Sequence, residues 1–464
     1  MTDVINNPVL DRPAKKLFRL ALPMAITQLI TMGSSFLCMS MLAHLGREVL
    51  AASALIFSIS ISVLATVISL LFALSILIGH AYGEKQYQTV GSLLQQGWFI
   101  AFLISLPSVL LCWHIYPLLI FFGQDPHLSR IVEQFFQASI LRVPLILFCI
   151  ANQQLCYGVN KQKVDMYANI AGVIVLVISA YILIYGKLGL PALGVIGFGY
   201  AVVLQAFFYV LISTACLYFG AYFKKFELFR LRLHTNWHAL KQLIKIGWPI
   251  SLQISAEVIS FSVFAAFVGW IGTESLAAYQ IIMQYQFLIV VPIFSVSQAC
   301  GILIGQAYGA KQFSEITVLG KAGLIFACGM SFIVAFFFLG LPKCLSSSYI
   351  DVHAAGNAAI VKIAISLFAV LALSQLLDGI RNILTGCLRG LLDTGFPMYI
   401  GLASMWLIAL PLSYFFAFIL HWQALGVMIG WTVGVGAGAL VLYWRWTKKV
   451  LDLKPTETLL ETNT

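Results

Sequence analysis

Charge is scarce in this chain. Only 9% of its 464 residues are Asp, Glu, Lys or Arg, where a soluble domain carries about 25%. The deficit runs the whole length, with a mean hydropathy of +0.95. That excludes a soluble domain with a single anchor and implies a polytopic membrane protein. The nine Cys form no Cys-x-x-Cys pair and no Cys/His metal spacing. Cys112, Cys149 and Cys216 sit in apolar runs and read as small buried hydrophobes. No phosphate-binding loop or nucleotide fingerprint is present, so energy must come from an ion gradient or from the substrate's own gradient. No His-x-x-x-His or nucleophile–base spacing appears either, which argues against an enzyme and implies no cofactor. The net charge of +10 does not indicate nucleic acid. The basic residues are scattered over short loops, with no aromatic-basic surface beside them.

What is abundant is long apolar sequence. Runs at about 17–43, 49–80, 87–121, 128–157, 162–186, 191–220, 238–270, 275–306, 314–345, 354–388, 393–420 and 423–448 predict twelve membrane helices. Several exceed the ~20 residues needed to cross, so tilt or kinks are expected. The first run is too long for a cleavable leader and is expected to be retained. Residues 1–16 and 450–464 are polar, and both tails read as unstructured. Most of the 27 Lys and Arg fall on the side that holds both termini, among them Lys161, Lys163, Lys224, Lys225, Lys241, Lys245, Arg389 and Lys449. This bias places both termini in the cytoplasm. The longest and most basic connection, 223–240, divides the chain into an N-lobe (17–222) and a C-lobe (241–449).

The halves repeat. At an offset of 226, Pro23 meets Pro249 and Leu45-Gly46-Arg47-Glu48 meets Ile271-Gly272-Thr273-Glu274. Ile76-Leu-Ile-Gly-His-Ala-Tyr-Gly-Glu-Lys-Gln86 meets Ile302-Leu-Ile-Gly-Gln-Ala-Tyr-Gly-Ala-Lys-Gln312, identical but for two positions. Further on, the offset reads as 228, pairing Gly158 with Gly386 and Asp165 with Asp393, and by Ala192-Leu-Gly-Val195 against Ala424-Leu-Gly-Val427 it is 232. Six spans per half make both halves cross in the same direction. The expected fold is all-α, with two six-helix lobes related by a pseudo-two-fold axis along the membrane normal. Pro23 and Pro249 are expected to kink or cap their helices, and Gly83 and Gly309 to permit tight turns where theirs end.

Two carboxylates stand out against the apolar background. Glu257 lies in the seventh span and Asp378 in the tenth, and each costs about 2.5–3.5 kcal/mol if ionised at mid-membrane. At offsets of 226 and 228 the first half has Thr31 and Ile150 in their places, so the pair belongs to one half. Helical spacing puts Ser374, Asp378, Arg381, Asn382 and Thr385 on one stripe. Gln253, Glu257, Ser260 and Phe261 share a face in the same way. An inert Asp378–Arg381 pair and a site that holds and releases a cation are both compatible with this spacing. If Arg381 points at Asp378, Glu257 becomes the group that titrates. Gln253 and Phe261, with the eighth-span group Tyr279, Gln280, Gln284, Tyr285 and Gln286, are candidates to line a substrate cavity. Arg142 and Glu133 read as snorkelling residues.

Several strings together resemble the multidrug and toxic compound extrusion (MATE) family, in its bacterial NorM-type branch. They are Ile184-Tyr-Gly-Lys-Leu-Gly-Leu-Pro-Ala-Leu-Gly194, Gly386-Cys-Leu-Arg-Gly-Leu-Leu-Asp-Thr394, Trp406 ahead of Leu410-Pro411, and the Leu-Gly/Leu-Ala-Ala segments after spans one and seven. The resemblance spans 17–449. It implies antiport of H+ or Na+ against amphipathic organic cations, with the coupling ion at Glu257 and Asp378. It also implies a monomer in a bacterial inner membrane, with cationic drugs and the bilayer as its partners. The first-span Asp of many relatives is Cys38 here, and a Tyr one turn before the tenth-span Asp is Ser374. Arg381 adds a charge beside the expected ion site. A lipid-linked oligosaccharide flippase and an exporter of an endogenous metabolite are the alternatives.

Overall fold

The computed structural model describes residues 8–230 and 237–461. Among these the chain is helical, with no strand. Two compact units divide it, Pro23–Ser251 and Leu252–Thr464 with Met1–Leu22. The boundaries fall inside α1 (Pro8–Ala43) and α10 (Trp237–Ile271). Eleven helices are long and apolar enough to cross a membrane, or twelve when one bent pair counts as a single span.

The first unit contains α2 (Arg47–Leu70), α3 (Phe72–Gly83), α4 (Tyr87–Trp113), α5 (Ile115–Phe121), α6 (Pro126–Ala138), α7 (Arg142–Gly158), α8 (Gln162–Tyr185) and α9 (Gly194–Phe219). The fourth span, expected as one helix over 128–157, is α6 and α7 bent by 55°. Pro144 supplies the reason. It has no N–H to give to the turn before it, so the helix cannot run smoothly through this point.

The second unit holds α11 (Thr273–Gly309), α12 (Phe313–Gly340), α13 (Pro342–Ser347), α14 (Ala358–Gly390), α15 (Gly395–Leu402), α16 (Leu410–Tyr414) and α17 (Gln423–Glu461). Two π-helical turns, Ala403–Ala409 and Phe415–Ile419, interrupt the eleventh span. Helix α14 packs against α11, α12 and α17. It meets α11 where side chains are absent. A Cβ on Gly390 would lie 2.6 Å from the Gly301 carbonyl oxygen. Close backbone approach through small residues is how helices associate where lipid removes the hydrophobic drive. Gly430, Gly434 and Gly438 of α17 abut Ser404, Ala409 and Ser413 in the same manner.

Both polar ends are more ordered than their composition suggests. Helix α1 begins at Pro8 and α17 continues to Glu461, while 1–7 and 462–464 lie outside the described residues. Lys16 meets Glu315 at 2.6 Å, which helps to fix the start of α1.

The basic connection also differs from a free linker over its first part, although 231–236 lies outside the described residues. Phe223, Phe226 and Leu228 are buried. Gln95 donates to the carbonyls of Leu228 and Arg230, at 2.9 Å each. The Lys225 ammonium sits 4.1–5.4 Å from the rings of Tyr222, Tyr87, Phe226 and Tyr82. Lys225→Gln should lose about 0.5–1 kcal/mol of cation–π attraction, the range for an exposed ammonium. Limited proteolysis of the variant should then cut near Phe223–Arg230 several-fold faster than in wild type.

The repeat is visible in the backbone. Gly46 and Gly272 begin matching helices with φ of +127° and +151°. A side chain resists that conformation, which explains both glycines. The turns after Gly83 and Gly309 place their left-handed residue two positions on, at Lys85 (φ 61°) and Lys311 (φ 59°). The two glycines therefore end their helices without supplying the left-handed turn. Later the register differs from the expected 228. Asn160 and Leu392 share φ of 60°. Gly158 packs on Ile78 as Gly390 packs on Ile304. The offset there is 232, so Gly158 matches Gly390, Asp165 matches Pro397, and Asp378 matches Ile146 rather than Ile150.

Candidate functional site

Glu257 and Asp378 are brought together by Arg381. From α10, Glu257 Oε1 accepts from Arg381 Nη1 at 2.6 Å. On α14, one turn before the arginine, Asp378 Oδ1 accepts from its Nε at 3.0 Å and lies 2.9 Å from its Nη2. Asn382 Nδ2 donates to Asp378 Oδ2 at 3.0 Å. Ser297 of α11 holds the Asn382 carbonyl at 2.5 Å and so ties the stripe to its neighbour. Asp378 and Arg381 side chains are 7% and 5% exposed, and Glu257 is 21% exposed. One guanidinium thus serves two carboxylates, and the three groups together carry one excess negative charge.

Gln253 extends the network one turn along α10. Its Nε2 donates to Glu257 Oε1 at 3.1 Å, and its Oε1 accepts from Arg389 Nη2 at 2.9 Å. Arg389 was expected at a span end but is buried in α14. Its relayed contact brings the four ionised groups to neutrality.

The remaining candidates divide. Ser374 bonds to Thr432 and to the Val370 carbonyl, away from Asp378. The Thr385 hydroxyl is buried and makes no hydrogen bond among the described residues. Phe261 contacts the rings of Phe287 and Trp431. Tyr279 belongs to the hydrophobic core of its unit, whereas Gln280 and Gln284 are exposed. Gln286 bonds to Gln375. Pro249 lies inside α10, and Pro23 accepts from Thr27 through its carbonyl.

The first unit holds a buried carboxylate that the motifs did not single out. Asp165 is 1% exposed. It accepts from Tyr209 at Oδ1, and from Tyr157 and Gln153 at Oδ2, both at 3.1 Å. Three donors and no basic partner surround it among the described residues. The sequence marked it only as a repeat partner of Asp393, because the tyrosines and the amide that surround it come from other helices.

Eleven or twelve apolar spans, repeated halves and a buried ionic network inside one unit define a multi-pass transport scaffold. The MatE family model matches residues 23–182 and 249–415. The probable multidrug resistance protein NorM of Synechocystis sp. is 26% identical over 455 residues, covering 98% of each chain. That of Bradyrhizobium diazoefficiens is 30% identical over 441 residues, covering 92% of each. Among solved structures, an outward-facing multidrug resistance MATE family transporter of the MOP superfamily has a TM-score of 0.86 at 19% identity, covering 95% of this chain and 97% of its own. The Vibrio cholerae MATE transporter VcmN in its bent form has a TM-score of 0.83 at 18%, covering 96% and 99%. The chain is a membrane transporter. It belongs to the MATE family of multidrug transporters.

Proposed function

We propose that the protein is a secondary active exporter that moves H+ or Na+ inward against amphipathic organic cations by alternating access, with Glu257 and Asp378 as the coupling pair. The observation that carries this reading is the division of labour between the two carboxylates. Both oxygens of Asp378 are engaged by Arg381 and Asn382. Glu257 takes both of its hydrogen bonds on Oε1, and among the described residues Oε2 has none. Glu257 is also the more exposed of the two. Its free oxygen is where a proton or Na+ would take up the negative charge that Arg381 leaves on the triad and that Arg389 balances only at one remove, through Gln253. Neutralising Glu257 weakens its hold on Arg381 and lets the guanidinium shift fully to Asp378. That exchange gives α10 and α14 two arrangements with different ion occupancy, as coupling requires.

Efflux of ethidium or norfloxacin from cells expressing Glu257→Gln or Asp378→Asn tests this. Each substitution should cut efflux at least about tenfold, the effect of losing one buried charged contact of 1.4 kcal/mol or more. Wild-type efflux in both variants would sink the coupling role. Vesicles with pH and Na+ gradients imposed separately identify the ion. Localisation in a bacterial inner membrane with cytoplasmic termini, and function as a monomer, belong to the same proposal.

A further inference from the structure

The first unit contains a cavity of about 350 Å3, walled by α1, α2, α6, α7, α8 and α9. It occupies the niche that the ionic network fills in the second unit. Thr31, the repeat partner of Glu257, and Ile146, the partner of Asp378, both lie on its wall. Here the niche is open and its charge has the opposite sign. No Asp or Glu lines it, and among the described residues Arg142 is its one ionised side chain.

Arg142 opens α7 at the 55° bend, halfway along the fourth span. Its guanidinium makes no hydrogen bond and no ion pair among the described residues. The nearby carboxylates are committed elsewhere. Glu133 pairs with Arg130 at 3.1 Å and accepts from Gln137. Asp165 is taken by Tyr157, Tyr209 and Gln153. An ionised side chain at mid-membrane marks function when it faces a cavity. The planar fork of a guanidinium fits a carboxylate through two parallel hydrogen bonds. The amides of Asn169 and Gln205 share the wall with Arg142, and Phe57, Leu64 and Phe198 give it an apolar side.

We propose that this cavity binds an amphipathic ligand by a carboxylate seated on Arg142, with the ligand's apolar body against Phe57, Leu64 and Phe198. A simple cation is disfavoured there, because the only fixed charge repels it. The site is separate from the coupling pair and does not depend on it.

The test uses the purified full-length protein in phosphatidylcholine nanodiscs. It is titrated with pyrenebutanoate, pyrenebutanol and pyrenemethylamine, which share one aromatic body. Pyrenebutanoate should bind about tenfold or more tighter than the other two, as one charge-assisted bidentate contact allows. The preference should vanish in Arg142→Gln and persist in Arg142→Lys. Equal binding of the three probes by wild type overturns the proposal, and so does a preference that survives Arg142→Gln. The wild-type comparison decides the matter even if a variant does not fold. Displacement by oleate assigns the carboxylate to a bilayer fatty acid, and displacement by cholate alone to a compact water-borne amphipath. Displacement by neither overturns the proposal. Binding is read without a gradient, so a failed coupling role for Glu257 leaves every outcome readable.

Discussion

Arg381→Leu should abolish efflux and destabilise the protein by about 3–5 kcal/mol, the cost of removing one partner from a buried ion pair. The cost is high because two carboxylates lose their counter-charge together. Glu257 keeps only Gln253, and Asp378 keeps only Asn382. Arg389 touches Glu257 only through Gln253 and cannot replace the lost contact. Acidification should restore part of the stability, because protons then remove the charge that the guanidinium had balanced. Thermal unfolding in detergent at pH 5 and pH 8 measures both effects. A variant as stable as wild type at pH 8 would show that Arg381 is not the shared counter-ion. Arg381→Lys keeps the charge but loses the fork, so it should recover stability more than transport.

Gly386→Ala should have the next largest effect, about 2–3 kcal/mol, from overpacking at the α11–α14 crossing. The added Cβ would run into the Ser297 backbone carbonyl, and its hydroxyl at 2.5 Å. Backbone cannot yield as a side-chain tip does, so the helices must separate. The same Ser297 hydroxyl holds the Asn382 carbonyl. Separation therefore loosens the stripe that carries Asp378 and Arg381. Unfolding temperature and efflux should fall together. An alanine variant with wild-type values in both would mean that this crossing tolerates a wider spacing. Ala at Gly329, where a Cβ meets nothing within 4 Å, is the matched control.

The spans and the duplication were legible because apolar length and internal identity are properties of sequence alone. Glu257 and Asp378 were legible because ionised groups are costly in lipid. Arg389 was not, since an arginine at the end of an apolar run looks like an interfacial anchor. Only the tertiary approach of Gln253 shows otherwise. The place of Arg142 on a cavity wall was not legible for a related reason. Its nine-residue separation from Glu133 spoke against a pair, but nothing in the sequence placed it on a cavity wall. The choice between an inert Asp378–Arg381 pair and a shared counter-ion needed the distance from Arg381 to Glu257, which couples two helices far apart in the chain. The offset of 232 is legible at Ala192–Val195, but that it already holds at Gly158 needed backbone dihedrals, because residue identity is too sparse there to separate 228 from 232.

The change of register has an evolutionary consequence. A duplicated gene starts with two equal copies, yet these differ by six residues between the turns at Lys85/Lys311 and at Asn160/Leu392. Once that length difference was fixed, matched positions no longer had matched neighbours. The copies were free to specialise, one around a self-neutralised acid–base cluster and the other around a cavity with a single positive side chain on its wall. Grafting the acidic pair into the first copy would therefore require Thr31→Glu with Ile146→Asp. Exchanging Ile150 instead, as a simple alignment suggests, would put the acid one helical turn away from its partner.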